Sequence, residues 1–203
     1  MPVSTFFKTM SSGFKRLDKT FLSFSPRHAG DYTVRQLSMA AAYTIFCHGE
    51  IEAYMEGWAT AFTDLAETSW RAKKATRPLV HLCTFHEGRK TPQSVPAKDI
   101  WNEVVFRAIA KQRGVIANNH GIKEQNICEL LSPLGFDLTA VDGILLNDLS
   151  AFGTLRGQHA HSSHKAQIGT TFDPFDRRSK VRGLETLMLN FDNLLSSYMR
   201  AAK

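Results

Sequence analysis

The feature that most constrains this chain is an apolar pattern in residues 34–67, where Leu37, Thr44, Cys47, Ile51, Tyr54, Met55, Trp58, Phe62 and Leu65 recur at spacings of three, four and seven. That spacing lays one broad apolar stripe along a long helix, and such a stripe is stable only when other elements cover it. Asp31 and Thr33 supply side-chain oxygens suited to its N-cap, and its end runs into a basic stretch, residues 71–78, closed by Pro78. The chain is therefore expected to fold around a long central helix.

Other segments read the same way. Residues 5–24 carry Phe6, Phe7, Met10, Phe14, Leu17, Phe21 and Leu22 at helical spacing, interrupted at Ser11-Ser12-Gly13. Helices are expected over 98–112, 123–131, 138–158 and 180–202, the last with Leu184, Leu187, Met188, Phe191, Leu194, Leu195 and Tyr198 on one face. Residues 79–85 are short and apolar, which fits a strand, a buried coil or a helical turn alike. Residues 87–98 are rich in Gly, Lys, Thr, Gln and Ser and include Pro92 and Pro96, the composition of a surface loop. Strand signals are weak and no internal repeat is visible. The expected architecture is all-α: one antiparallel helical bundle over residues 1–203, with its core at about 34–202 and a loop insertion at about 71–98.

Composition narrows the function classes. Hydrophobic residues are 43% and charged residues 22% of the chain, the usage of a soluble globular protein. No stretch reaches the ~18 apolar residues of a bilayer span, and residues 1–19 lack an apolar core followed by a cleavage site, so a cytoplasmic protein with no membrane partner is expected. Cys47, Cys83 and Cys128 are odd in number and far apart, which points to reduced, mostly buried thiols. A net charge of +6 and a pI near 9.3 favour a polyanionic partner.

The most unusual local composition is Leu155-Arg156-Gly157-Gln158-His159-Ala160-His161-Ser162-Ser163-His164, at the end of an apolar helix. Three histidines could hold a metal, but no acidic or cysteine partner stands at ligand spacing. Phosphodiester chemistry needs a proton acceptor near neutral pH and a permanent cation for the phosphate, and His and Arg supply both. In an unbroken helix, residues five apart are rotated by about 140°, so Arg156 and His161 share a site only if the helix loosens between them or a second copy completes the site. Gly157 is the natural place for such loosening.

Arg156, four intervening residues and His161 resemble the R-x4-H motif of the HEPN superfamily, with the Ala160-His161 pair often seen there. The segment His48-Gly49-Glu50-Ile51-Glu52-Ala53-Tyr54 is similar to the acidic helix of its RiboL-PSP-HEPN branch, and the likeness spans about residues 34–202. The resemblance implies a metal-independent endoribonuclease that needs no cofactor. In it the RNA 2′-hydroxyl attacks its own phosphate, leaving 2′,3′-cyclic phosphate ends. It assigns proton movement to His161 and phosphate binding to Arg156, implies a homodimer with a composite site, and suggests a toxin or anti-phage effector restrained by an antitoxin or regulatory protein. HEPN toxins controlled by a nucleotidyltransferase often carry Tyr two residues after the motif His, whereas this chain has Ser163.

Other residues have two readings each. His159, three residues from Arg156, is the alternative proton carrier. Glu52, and after it Glu50, could orient a catalytic histidine or be solvated helix charge. Arg177, Arg178, Lys180 and Arg182 could grip RNA phosphates or form a solvated helix start. His48 reads as a satisfied histidine at the edge of the core, Glu56 as plain surface, and Trp58 and Trp70 as packing residues. Two other functions fit the same residues: a catalytically silent helical module binding RNA or protein, and a metalloenzyme using the His cluster.

Overall fold

The computed structural model describes residues 2–28, 30–87, 100–161 and 172–202; the side chains of residues 87, 100 and 159–161 stand outside that description. Seven α-helices occur among the described residues, with no strand: α1 (Thr5–Phe21), α2 (Val34–Arg71), α3 (Arg77–Glu87), α4 (Ile100–Ala117), α5 (Glu124–Leu131), α6 (Gly143–His161) and α7 (Pro174–Ala201). None is long and apolar enough to cross a membrane. The long helix starts where its caps predict. Gln36 N–H donates to Thr33 Oγ1 (3.3 Å) while Gln36 Oε1 accepts from Thr33 N–H (2.9 Å), a reciprocal capping box. Its stripe is buried from Thr44 to Phe62, with Leu37 and Leu65 half-buried at its ends.

The chain divides into two compact units, the first of Met1–Tyr54, Gly121–Glu124 and Asp142–Asn193. Here α1 pairs antiparallel with α7: Ser4 meets Asp192, Ser11 donates to Glu185, and Asp18 meets Arg182. It is also antiparallel to α2, where Tyr43 Oη donates to Asp18 (2.8 Å) and Arg16 approaches Glu50. Met10 and Phe14 on α1 are fully buried, so the core begins ahead of residue 34. Asp192 is itself buried and accepts from Ser4 N–H (2.9 Å) and Tyr54 Oη (3.1 Å), which ties the start of α1 to the bundle.

The second unit comprises Met55–His120, Gln125–Val141 and Leu194–Lys203. It contains the clearest departure from expectation. Residues 77–87, placed inside a loop insertion, form α3, which buries Leu79 and Leu82. Pro78 lies in the first turn of α3, where its missing N–H costs nothing and its fixed φ suits the start, so it opens a helix rather than ending one. The rest of the expected loop, residues 88–98, lies outside the described residues. Trp58 is buried on Phe62 as a packing residue, while Glu56 is no plain surface group: it accepts from Asn119 (2.9 Å).

The same effect of proline moves the start of α7 from 180 to Pro174, where Asp173 caps Phe175 N–H (2.8 Å). At the other expected start, Leu138–Ala140 is a separate 3-10 turn, and α6 begins only at Gly143. None of the three cysteines forms a disulfide, but only Cys47 is buried; Cys128 is exposed beside Ser132.

Gly135 closes the turn Ser132–Leu134 at φ +80, and a Cβ there would stand 2.6 Å from the His81 ring. Gly135→Ala is therefore expected to destabilise the fold by about 2 kcal/mol in urea unfolding, since left-handed backbone and close approach both oppose it.

Candidate functional site

The motif sits at the end of α6, a helix whose backbone is unbroken from Gly143 to His161. The expected loosening at Gly157 does not occur: glycine's penalty of ~1 kcal/mol is too small to break a helix that is hydrogen-bonded on both sides. The backbones of Arg156 and His161 therefore point about 140° apart around the axis. The side chains of His159 and His161, and the whole of His164, lie outside the described residues.

Upstream of the motif, Leu145, Leu149 and Phe152 anchor α6 in the first unit. Arg156 is half-buried, and its Nε–H is fully buried with no hydrogen-bond partner among the described residues. A buried donor left in that state costs free energy that an acceptor such as a phosphate oxygen would return.

His48, on α2, is the neighbour of that guanidinium. It is only 2% exposed. Burial, reinforced by the Arg156 charge, pulls its pKa down to about 4, so the ring is neutral at physiological pH. Its Nδ1 stands 3.9 Å from Glu52 Oε2, one turn along α2, too far for a direct hydrogen bond, and with a neutral ring the pair is not an ion pair. Glu50 is turned away from this cluster. It faces Gly13 on α1, with Arg16 3.8 Å from its Oε1. The structure thus sets His48 and Glu52 on one side of α2, with the charge of Arg156 acting on His48, and turns Glu50 toward α1.

A buried neutral histidine makes stability depend on pH. Between about pH 6.5 and 4 the unfolded chain binds a proton at His48 that the folded chain refuses, so stability falls as pH falls through that window. The shift corresponds to about 3 kcal/mol. His48→Leu is expected to flatten the acid limb of stability measured by urea unfolding at pH 7, 5.5 and 4.

The four cations of α7 divide into two pairs. Arg182 pairs with Asp18 and with Glu185 (2.7 Å), and Arg178 lies 3.8 Å from Asp18, so these two stitch α7 to α1. Arg177 and Lys180 instead line a cleft of about 280 Å³ together with Asp148, Phe152 and Leu155 of α6. Arg177 lies over the Phe172 ring, 4.9 Å from its centroid, and burial lowers its pKa. Its Nε is also buried without a partner among the described residues. A cleft holding a permanent cation and Lys180 can take an anionic group, with Asp148 tempering the charge.

Reading the sequence alone misses His48 as a member of this site. The signal was its spacing of four from Glu52, which places both on one side of α2; what no spacing reveals is that the charge of Arg156 on α6 acts on His48. Compared with known protein families, with curated proteins and with solved structures, the chain matches none of them.

Proposed function

We propose that this protein is a metal-independent endoribonuclease of the HEPN kind, which cleaves RNA by attack of the 2′-hydroxyl on the adjacent phosphate. The observation that carries the reading is the buried Arg156 Nε–H, without a hydrogen-bond partner among the described residues and near a neutral His48, on the helix that ends in the R-x4-H pattern. A guanidinium so placed is suited to the nonbridging oxygens of a phosphate and to the charge they gain in the transition state. His48, neutral at physiological pH, adds no second positive charge beside it. Arg177 and Lys180 provide a further anionic subsite on α7.

His161 is the proton carrier in this reading. Because α6 is unbroken, a histidine five residues beyond Arg156 reaches the same phosphate only when supplied by a second copy. The active species is thus a two-fold dimer in which Arg156 of one protomer works with His161 of the other. Such an enzyme, acting as a toxin or anti-phage effector, requires an antitoxin or regulatory protein.

Purified wild-type protein is expected to fragment a labelled mixed-sequence RNA that Arg156→Ala, folded to the same degree, leaves intact. Inactivity of the folded wild type on several structured and unstructured RNAs would instead favour a silent RNA- or protein-binding module.

A further inference from the structure

A further cleft lies within the second unit. It has a volume of about 800 Å³, the size of a small-ligand site, and is lined by Trp70, Leu79 and Phe106 together with Arg71, Lys73 and Lys74. Among the described residues no carboxylate lines it. Arg71 is held by Glu67 and stacks over the Phe106 ring at 5.1 Å, so its charge is partly spent. Lys73 and Lys74 are exposed and have no ion pair among the described residues. Asn102 accepts from Trp70 Nε1–H (2.9 Å), which fixes the indole in place, and the adjacent Trp101 is 72% exposed.

The backbone adds a second, independent observation. α2 closes with Lys73 N–H donating to Trp70 O (2.9 Å) and Lys74 N–H to Ser69 O (2.8 Å), a Schellman ending whose left-handed residue is normally glycine. Here it is Lys73, at φ 57. A side chain costs about 1 kcal/mol or more in that conformation, so a lysine is held where glycine would give a more stable helix end. Lys73 thereby adds its side chain to the lining of the cleft.

We infer that this cleft binds single-stranded RNA, with bases against Trp70 and Phe106 and backbone phosphates on Lys73 and Lys74. Aromatic faces beside cations are the elements by which proteins hold unpaired strands without reading sequence. A duplex keeps its bases stacked on each other and cannot offer them to such a surface. The inference rests on the proposed nuclease reading for the choice of RNA as polymer, and it names the form of RNA captured.

The test is fluorescence anisotropy with the full chain and a labelled, unstructured 2′-O-methyl oligoribonucleotide of about twelve residues, matched to single-strand site sizes. Methylation removes the attacking hydroxyl, so binding is read apart from cleavage. The double variant Lys73→Gly with Lys74→Gln is expected to unfold at no lower urea concentration than wild type. It should bind about fivefold or more weakly, with a log K against log salt slope shallower by about 1.4, as two lost phosphate contacts require. A blunt duplex of the same length should bind more weakly than the single strand and be indifferent to the variant. Unchanged affinity and slope in the variant, or equal loss on duplex and single strand, would overturn the inference. If the variant loses this binding while wild type cleaves no RNA, the cleft stands and the nuclease reading falls. If wild type cleaves RNA and the variant binds unchanged, the reverse holds.

Discussion

His161→Ala is expected to slow RNA cleavage by about 10²–10⁴-fold, the range over which a positioned general acid or base contributes. The reaction asks for one group to take the proton from the 2′-hydroxyl and for a proton to reach the leaving 5′-oxygen. An imidazole titrating near neutrality serves both roles. His48 cannot substitute: it is buried, and its pKa near 4 leaves it a poor proton acceptor at pH 7. His159→Ala should cost far less, since the proposed dimer assigns the proton to His161. Single-turnover rates across pH 5–9, with unfolding curves as the check on integrity, measure both. Equal loss in the two variants would make the cluster act as a unit and count against a single carrier.

The second large effect is expected at Arg156. Arg156→Lys keeps the charge but removes the Nε–H and the planar fork, and should lower the rate by ~3 kcal/mol, about 10²-fold, as for other lost transition-state donors. Lysine would also bring a compact, strongly hydrated ammonium beside buried His48. Because the proposed site is shared between protomers, mixing the inactive Arg156→Ala and His161→Ala proteins should restore activity: each mixed dimer regains one site with both residues intact. Absence of rescue after confirmed subunit exchange would place both residues in one chain and contradict the geometry of the unbroken α6.

The parts of the fold visible in the sequence were those set by local rules. The stripe of α2 and its Thr33 cap follow from spacing and from the hydrogen-bonding reach of a hydroxyl. α3 escaped because Pro78 has opposite meanings in the first turn and the interior of a helix, and the choice is made by burial of Leu79 and Leu82. The early start of α7 at Pro174 escaped for the same reason.

The candidate site was legible only as a motif. Glu50 and Glu52 flank the same stripe, and nothing in α2 itself says that α1 lies against Glu50 through Gly13. The basic run of α7 likewise looks uniform as sequence. Asp18, more than 150 residues away, converts Arg178 and Arg182 into packing cations and leaves Arg177 and Lys180 on the cleft beside α6. Long-range partners of this kind decide the role of a charged residue, and periodicity carries no record of them.

The most direct measurement is the chemistry of the RNA ends. Wild-type protein in EDTA, given an RNA oligonucleotide and its all-2′-deoxy counterpart, should cut only the former, leaving 2′,3′-cyclic phosphate and 5′-hydroxyl termini, with the products absent in His161→Ala. Cleavage that EDTA abolishes, or that yields 5′-phosphates and 3′-hydroxyls or proceeds on the deoxy strand, would contradict the proposed mechanism.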